Sequence, residues 1–366
     1  MLKFLQIFKK LDWFLFSSMI LLAILGLAAI ISTTYQQGLQ DFVIKQIIAV
    51  ILGLVLFFIL IILDYRIFQS YAYILYAFFT ISLVLVLFFG TIFQGTKGWF
   101  NLGFFQFQPA EFIKIALIII LARYFVYAKK QSILKHVIVS GIIMAIPSFL
   151  IMLQPDMGSA LVLVVIWFGM LLISGLKRSY VMTIAIIGLA LASIVWNFFL
   201  YDYQKNRITS FINPENDPLG QGYNMIQAKI AIGSGELSGQ GLGHGSQSQL
   251  KFLPAQHTDF IYAVICEELG FIGSAFLLVL FFVLIFRILR TAMKARDEFG
   301  LMVCCGIAIG FTFQILVNIG MNLSIMPIAG VPLPLVSYGG SAMIASMISL
   351  GIVQSIFVRI KGLEFK

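Results

Sequence analysis

Long runs of apolar residues, separated by polar segments, make up most of the chain. Ten of these runs approach the length of about 18–22 residues that lets a helix cross the hydrocarbon core of a bilayer. The runs lie near residues 13–33, 44–64, 70–90, 109–127, 136–154, 158–176, 180–200, 268–289, 299–321 and 338–358. The pattern predicts an all-α polytopic membrane protein with ten transmembrane helices, forming a single domain over residues 1–366.

The polar connections between the runs differ greatly in length. Most are short, but residues 201–267 form one long segment between the seventh and eighth runs, rich in Gly, Asn, Gln and Ser. Functional residues concentrate in long loops on a packed scaffold. We therefore expect the site in this segment and in the shorter connections at 90–109, around Asp156 and at 322–340.

Composition and charge support this interpretation and predict the orientation. Apolar residues make up 61% of the 366 positions and only 11% are charged, which is too apolar for a soluble domain. Basic residues collect on the cytoplasmic side of membrane proteins. Of the 24 Lys and Arg residues, seven lie at the opposite helix ends: Lys45, Lys97, Lys114, Lys205, Arg207, Lys229 and Lys251. Both termini are therefore predicted to be cytoplasmic, and the net charge of +9 does not require a nucleic-acid partner.

Four ionisable residues lie near membrane depth, where charge is costly unless it faces a bundle interior or a water-filled cavity. Glu111 and Lys114, in QPAEFIK, are three residues apart and share one helix face. Asp156, in QPDMGSA, lies between the fifth and sixth runs, and Asp259, in HTDFIYAVICEELG, precedes the eighth. All four belong to the outer half of the protein, so we predict that they converge.

Each of these residues also has a purely structural interpretation. Glu111 and Lys114 would form an ion pair that fixes helix packing, and Asp156 would cap the helix that starts near residue 158. Asp259, helped by Thr258, would cap the helix that follows it. The residues alone leave these alternatives open.

Other polar features are less informative. The glycine-rich stretch at 233–245 would serve as a backbone cradle for phosphate or as a flexible loop over the outer surface, and it lacks the signature of an ATP site. His257 next to Asp259 suggests a catalytic dyad, although sequence neighbours rarely face each other. His136 and His244 are isolated, and the three cysteines match neither a disulfide framework nor a zinc site.

Five motifs, taken together, resemble one known family. They are QPAEFIK, QPDMGSA, NPENDPLGQGYN with IQAKIAIGSGELSGQGLG, HTDFIYAVICEELG and PLPLVSYGGSA. With the ten runs and the long seventh connection, they resemble the SEDS proteins (shape, elongation, division and sporulation) over nearly the whole chain. The VPLPLVSYGG ending is more similar to the elongation members (RodA) than to the division members (FtsW).

This resemblance implies a peptidoglycan glycosyltransferase in the bacterial cytoplasmic membrane. It would polymerise lipid II into β-1,4 glycan strands for cell elongation and rod shape, with a class B penicillin-binding protein as partner and within the cell-elongation machinery. Asp259 matches the family's essential aspartate, and Glu111, Lys114 and Asp156 match other polar positions. A divalent cation (Mg²⁺ or Mn²⁺) is compatible with the family, although the sequence shows no metal cage.

The expected mechanism uses Asp259 as the general base, which predicts inversion at the sugar carbon that is attacked. The residues expected to bind or support the substrate are Glu111, Lys114, Asp156, Arg207, Lys229, His257, Thr258, Ser337, Tyr338 and Gly339. Many family members carry a glutamate after the proline in the HTDF region, whereas this chain has Ala255, so position 255 is not counted as a site.

Two other functions stay open. A flippase for the lipid-linked sugar would also have many spans and buried charges, and a non-catalytic scaffold would need only the spans. A flippase requires polar groups along the whole path across the membrane, whereas here they collect on the outer side. The sequence therefore favours the enzyme.

Overall fold

The computed structural model describes residues 10–35, 40–93, 95–101, 103, 106–128, 132–175, 209–212, 220–250, 252–253 and 255–360, with isolated positions between 180 and 205. These residues form a helical bundle with a small sheet at one end. The elements are α1 (Trp13–Tyr35), α2 (Gln40–Ile62), α3 (Arg66–Phe89), β1 (Thr91–Phe93), β2 (Thr96–Asn101), β3 (Gln106–Phe107), α4 (Pro109–Tyr127), α5 (Ile133–Met152), α6 (Met157–Ile173), α7 (Gln221–Ser234), α8 (Ser246–Gln249), α9 (Ile261–Met293), α10 (Glu298–Asn322) and α11 (Gly340–Ile360).

Seven of these helices are long and apolar enough to cross a membrane: α1, α2, α3, α5, α9, α10 and α11. Helices α4 and α6 occupy the predicted fourth and sixth runs. Helix α4 contains the charged residues Glu111, Lys114 and Arg123, and α6 has only 17 residues. The predicted seventh run, 180–200, lies almost entirely outside the described residues. The structure is thus mostly helical and polytopic.

Two connections contain more regular structure than the sequence predicted. The 90–109 connection forms a small antiparallel sheet in the order β1-β2-β3, with Thr91 opposite Trp99 and Phe100 opposite Phe107, so the fold is mostly rather than entirely helical. Helices α7 and α8 lie within the 201–267 connection, and α9 begins at Ile261 rather than near 268.

The early start of α9 has a physical reason. Glu267 and Glu268 weaken the apolar signal there, yet both side chains are buried. Glu267 accepts the backbone N–H groups of Gln247 (2.7 Å) and Ser248 (3.1 Å) at the start of α8. These hydrogen bonds replace the water that a glutamate requires, so the helix continues through both residues.

Gly270 interrupts α9 with φ +65° and ψ −161°. The glycine-rich stretch packs directly against this kink: a Cβ at Gly270 would lie 2.3 Å from the backbone nitrogen of Gly239. The N–H groups of Phe271 and Ile272 donate to the carbonyls of Glu236 (2.9 Å) and Leu237 (3.2 Å). The stretch is therefore an ordered loop fastened to α9.

Helices α2 and α11 form the most extensive helix contact of the described bundle. Small residues let the two backbones approach each other, as is typical of membrane helices. A Cβ at Gly351 would lie 3.1 Å from Cα of Phe57, and one at Gly53 would meet the side chain of Met347. This contact holds α2 beside the segment that precedes α11.

Charged residues tie the helices together at the end of the bundle opposite the sheet. Arg287 forms an ion pair with Asp12 (2.6 Å), and Arg359 forms one with Asp64 (3.2 Å). Asp297 caps α10 by accepting the N–H of Gly300 at 2.7 Å. This end is structural, whereas the sheet end contains the cavity described below.

A close backbone approach near the sheet end generates the first prediction. A Cβ at Gly158 would lie 2.2 Å from the carbonyl oxygen of Ala329 and 2.8 Å from a methyl group of Val331. Gly158→Ala should therefore destabilise the protein by about 1–3 kcal/mol through overpacking. Thermal unfolding in detergent measures this effect.

Gly233→Ala is the matched control, because nothing lies within 4 Å of the position of its added Cβ. Gly233 is inside α7, so alanine should stabilise the protein by up to ~1 kcal/mol. Equal stability of the two variants would show that the contact at Gly158 is not tight.

Candidate active site

A cavity of about 340 Å³ lies at the sheet end of the bundle. It is surrounded by the N-terminal parts of α2, α4, α6 and α11, by β2 and β3, and by the segment just before α9. Its lining residues include Lys45, Thr96, Trp99, Gln106, Gln108, Glu111, Asp156, Ser159, Thr258, Asp259, Gly330, Tyr338 and Gly339. Three of the four ionisable residues predicted to converge, Glu111, Asp156 and Asp259, thus line the same cavity.

A tight turn places Asp259 at this cavity. Ala255 has φ +49°, and its carbonyl oxygen accepts the N–H groups of Thr258 and Asp259, each at 3.1 Å. A left-handed conformation of a non-glycine residue costs energy and marks a segment held by its surroundings. The turn ends at Phe260, and α9 begins at the next residue.

A second irregular segment, at 329–339, holds this turn in place. The hydroxyl of Ser337 donates to the carbonyl of Thr258 at 2.7 Å, and the N–H of Tyr338 donates to the carbonyl of His257 at 2.8 Å. The predicted residues Ser337, Tyr338 and Thr258 are therefore joined through backbone contacts. Ser337 itself is buried and supports the wall from behind.

Gln46 fastens the second segment to α2. Its Oε1 accepts the N–H of Gly339 at 3.1 Å, and its Nε2 donates to the carbonyl of Ser337 at 3.3 Å. Sequence reasoning missed Gln46, although a lone glutamine inside an apolar run is a usable signal. A buried amide must be hydrogen-bonded. Because backbone groups inside helices are already paired, a buried glutamine indicates an irregular segment beside it.

Glu111 and Lys114 form the predicted ion pair, with 2.7 Å between Oε2 and Nζ and side chains that are 4% and 9% exposed. Glu111 also lines the cavity, and both residues border a second space of about 30 Å³ together with Gln314 and Ser346. The structural and functional interpretations are therefore compatible, since one partner of the pair faces the cavity.

Asp156 likewise combines two roles. Its side chain caps α6 by accepting the N–H of Ser159 at 3.0 Å, as the structural interpretation predicted, and it also lines the cavity. Burial raises the pKa of the Asp156 carboxyl, while the hydrogen bonds from Ser159 oppose that rise. The capping bond fixes the orientation of this carboxyl at the wall.

Two other predicted residues in the described part of the chain, His257 and Lys229, do not line the cavity. The ring of His257 packs between Phe42 and Tyr338, with ring centroids 5.1 and 5.7 Å away; it is not among the residues lining the cavity. Burial lowers the pKa of His257, which favours neutral imidazole. Lys229 is exposed on α7, and Arg207 lies outside the described residues.

The helix that follows Asp259 differs in detail from the capping interpretation. The N-cap of α9 is Phe260, and no side chain at that residue caps the helix. Four residues that line the cavity were not predicted as site residues. They are Lys45, Trp99, Gln106 in β3 and Gln108 just after it. Only Lys45 carried a signal, as one of the outer basic residues.

Within the described part of the chain, no group of three or more His, Cys, Asp or Glu residues is placed to hold a metal ion. Glu111 is paired with Lys114, and Asp156 is occupied as a helix cap. The donor set therefore does not fit a metal held by protein ligands alone, and no step of the mechanism below depends on one.

Fold and site define a polytopic helical membrane protein with a carboxylate-lined cavity at one end. The model of the cell cycle protein family FTSW_RODA_SPOVE matches residues 12–361. The chain is 40% identical over 349 residues to the peptidoglycan glycosyltransferase MrdB of Escherichia coli K12, covering 94% of each protein. The chain belongs to the FtsW/RodA/SpoVE family.

Solved structures agree with this assignment. One chain of a peptidoglycan synthase complex that coordinates polymerization and crosslinking matches with a TM-score of 0.81 and 30% identity, over 96% of this chain and 99% of that one. The crystal structure of the rod shape determining protein RodA of Thermus thermophilus matches with a TM-score of 0.72 and 28% identity, over 97% and 98%.

The buried ion pair generates a second prediction. Glu111→Gln leaves the Lys114 ammonium buried without its counter-charge, which should destabilise the protein by about 3–5 kcal/mol. Thermal unfolding in detergent is the measurement. The double variant Glu111→Gln/Lys114→Met removes both charges and should recover most of that stability. A double variant no more stable than Glu111→Gln would contradict the pairing.

Proposed function

We propose that this protein is a peptidoglycan glycosyltransferase of the elongation type, which polymerises lipid II at the outer face of the cytoplasmic membrane with Asp259 as general base. The observation that carries the proposal is the position of Asp259 on a polar cavity surrounded by helix N-termini. The family assignment and the names of the relatives support the same activity.

The chemistry follows from the groups at the cavity. A hydroxyl oxygen of the acceptor sugar attacks the anomeric carbon of the donor, and the bond from that carbon to the diphosphate oxygen breaks. Asp259 accepts the hydroxyl proton as the new bond forms, which contributes about 10²–10⁴-fold in rate. Attack from the face opposite the leaving group inverts the α-linked donor into a β-linked glycan.

The departing diphosphate requires positive potential. Helix N-termini carry a partial positive charge and present free N–H groups, and residues from the first turns of α4, α6 and α11 line the cavity. Lys45 adds a full charge from the second turn of α2. These groups together would stabilise the leaving group without a step through a metal ion.

The proposed topology has ten transmembrane helices, with the seventh at 180–200, both termini in the cytoplasm and the long connection outside. The distribution of Lys and Arg supports it, because 17 of the 24 basic residues then lie on the cytoplasmic side. In this orientation the cavity opens toward the outer face. The polyprenyl chain of the substrate stays in lipid while its sugars enter the cavity.

We also propose that a class B penicillin-binding protein acts as the partner, within the cell-elongation machinery. Support comes from the likeness to a chain of a synthase complex that joins polymerization with crosslinking. A transpeptidase acting beside the cavity would receive the new strand as it leaves.

A flippase fits the structure less well. Below the cavity lies a space of about 30 Å³, lined by Glu111, Lys114, Gln314 and two serines of α11 and otherwise by four isoleucines, Gly310, Phe311 and Ala345. A sugar headgroup with a diphosphate needs a polar path across the bilayer, since unpaired charge in hydrocarbon is costly. A space of about 30 Å³ holds about one water molecule and no sugar diphosphate, which favours an enzyme that works from one side.

The third prediction tests the base. Asp259→Asn keeps the size of the side chain but cannot accept the proton, so polymerisation should fall by about 10²–10⁴-fold with unchanged thermal stability. Purified protein in liposomes, with and without a class B partner, is assayed for glycan strands made from labelled lipid II. Wild-type activity in a folded Asp259→Asn variant would refute the assignment.

The fourth prediction concerns the diphosphate. Lys45→Met should lower kcat/KM for lipid II about 10-fold or more, because a hydrogen bond to a charged group contributes about 1.5–3 kcal/mol. Lys294→Met is the matched control, since Lys294 is an exposed lysine at the opposite end of the bundle. Equal kcat/KM values for the two variants would show that Lys45 does not bind the diphosphate.

A further inference from the structure

Helix α9 begins two residues after Asp259, and its first turn has an unusual cap. The first backbone N–H groups of a helix lack partners within the helix and are normally satisfied by a Ser, Thr, Asp or Asn at the N-cap. Here the N-cap is Phe260, which makes no such bond. Instead, Oδ1 of Asn322, at the end of α10, accepts the N–H of Ala263 at 3.1 Å.

The same side chain also holds Asp259. Nδ2 of Asn322 donates to the carbonyl oxygen of Asp259 at 2.9 Å. Because the amide of Asn322 meets an N–H on one side and carbonyl oxygens on the other, only one of its two orientations satisfies both. Asn322 is fully buried, so water does not compete for these bonds.

Asn318, one turn earlier on α10, reinforces the arrangement. Its Nδ2 donates to the carbonyl of Val331 at 2.8 Å and to that of Asp259 at 3.3 Å. Asn322 in turn donates to the carbonyl of Asn318 at 2.8 Å. The two asparagines therefore join α10, the 329–339 segment and the residue that carries the carboxylate.

We propose that Asn322, supported by Asn318, is a positioning residue for Asp259. It provides the helix cap from a neighbouring helix and fixes the Asp259 backbone, so that the carboxylate is held at the cavity wall where the acceptor sugar would bind. Neither asparagine is among the residues lining the cavity, so Asn322 acts through Asp259. This inference rests on the proposed role of Asp259.

Two substitutions separate positioning from simple capping. Asn322→Asp keeps an oxygen for the N–H of Ala263, and aspartate caps a helix as well as asparagine does, but it loses the N–H that holds the Asp259 carbonyl. Asn322→Leu removes both bonds without adding charge. Positioning predicts a fall in kcat of about 10–100-fold in both variants, the size expected for a misplaced reacting group.

The assay measures kcat for lipid II polymerisation in liposomes with the class B partner. Each rate is divided by the number of lipid II binding sites, counted by titration with labelled lipid II, so that unfolded protein does not contribute. The dissociation constant for lipid II should stay within about 3-fold of the wild-type value, because neither variant alters the cavity wall. A tenfold change would correspond to a loss of about 1.4 kcal/mol of binding free energy.

Gln354→Leu is the control for loss of a buried amide. Gln354 is fully buried in α11 and lies near the opposite end of the bundle, so its kcat per site should equal that of the wild type. Wild-type kcat per site in Asn322→Asp would overturn the inference and leave only a capping role. Wild-type kcat in Asp259→Asn would instead refute the proposed function, whatever Asn322 does.

Discussion

Backbone polar groups that leave a helix close to lipid must find hydrogen-bond partners inside the protein, because the bilayer core offers no water. This constraint shapes the cavity end of the molecule, where the turn at 255–260 and the segment at 329–339 are both irregular. Buried side chains satisfy their carbonyls and N–H groups: Gln46 from α2, Asn318 and Asn322 from α10. The cavity is thus walled by loops that neighbouring helices hold in place.

The three carboxylates at the cavity have different surroundings. Lys114 neutralises Glu111 inside the bundle, and the N–H of Ser159 satisfies one oxygen of Asp156. Asp259 instead lies at the end of a tight turn held through its backbone. The backbone hydrogen bonds of this turn fix the place of the Asp259 carboxylate on the cavity wall, where a proton-accepting group is required.

Local patterns in the sequence predicted much of this structure. Run length predicted the helices, and the i, i+3 spacing predicted the Glu111–Lys114 pair, while topology brought Asp156 and Asp259 to the same end. Such local patterns do not predict contacts between residues far apart in the sequence. The 90–109 sheet depends on pairing between short strands, and the early start of α9 depends on backbone N–H groups from residues 247 and 248 that accommodate Glu267. Adjacency to Asp259 along the chain likewise does not reveal that the ring of His257 packs on Phe42.

The most direct test of the central claim is a structure of the Asp259→Asn protein with lipid II bound in a lipid nanodisc. The acceptor hydroxyl should lie within hydrogen-bond reach, about 2.6–3.2 Å, of the side chain at position 259, with the diphosphate facing the N-termini of α4, α6 and α11. A sugar bound elsewhere, or a diphosphate at the Arg287 end of the bundle, would contradict the assignment of this cavity as the site of polymerisation.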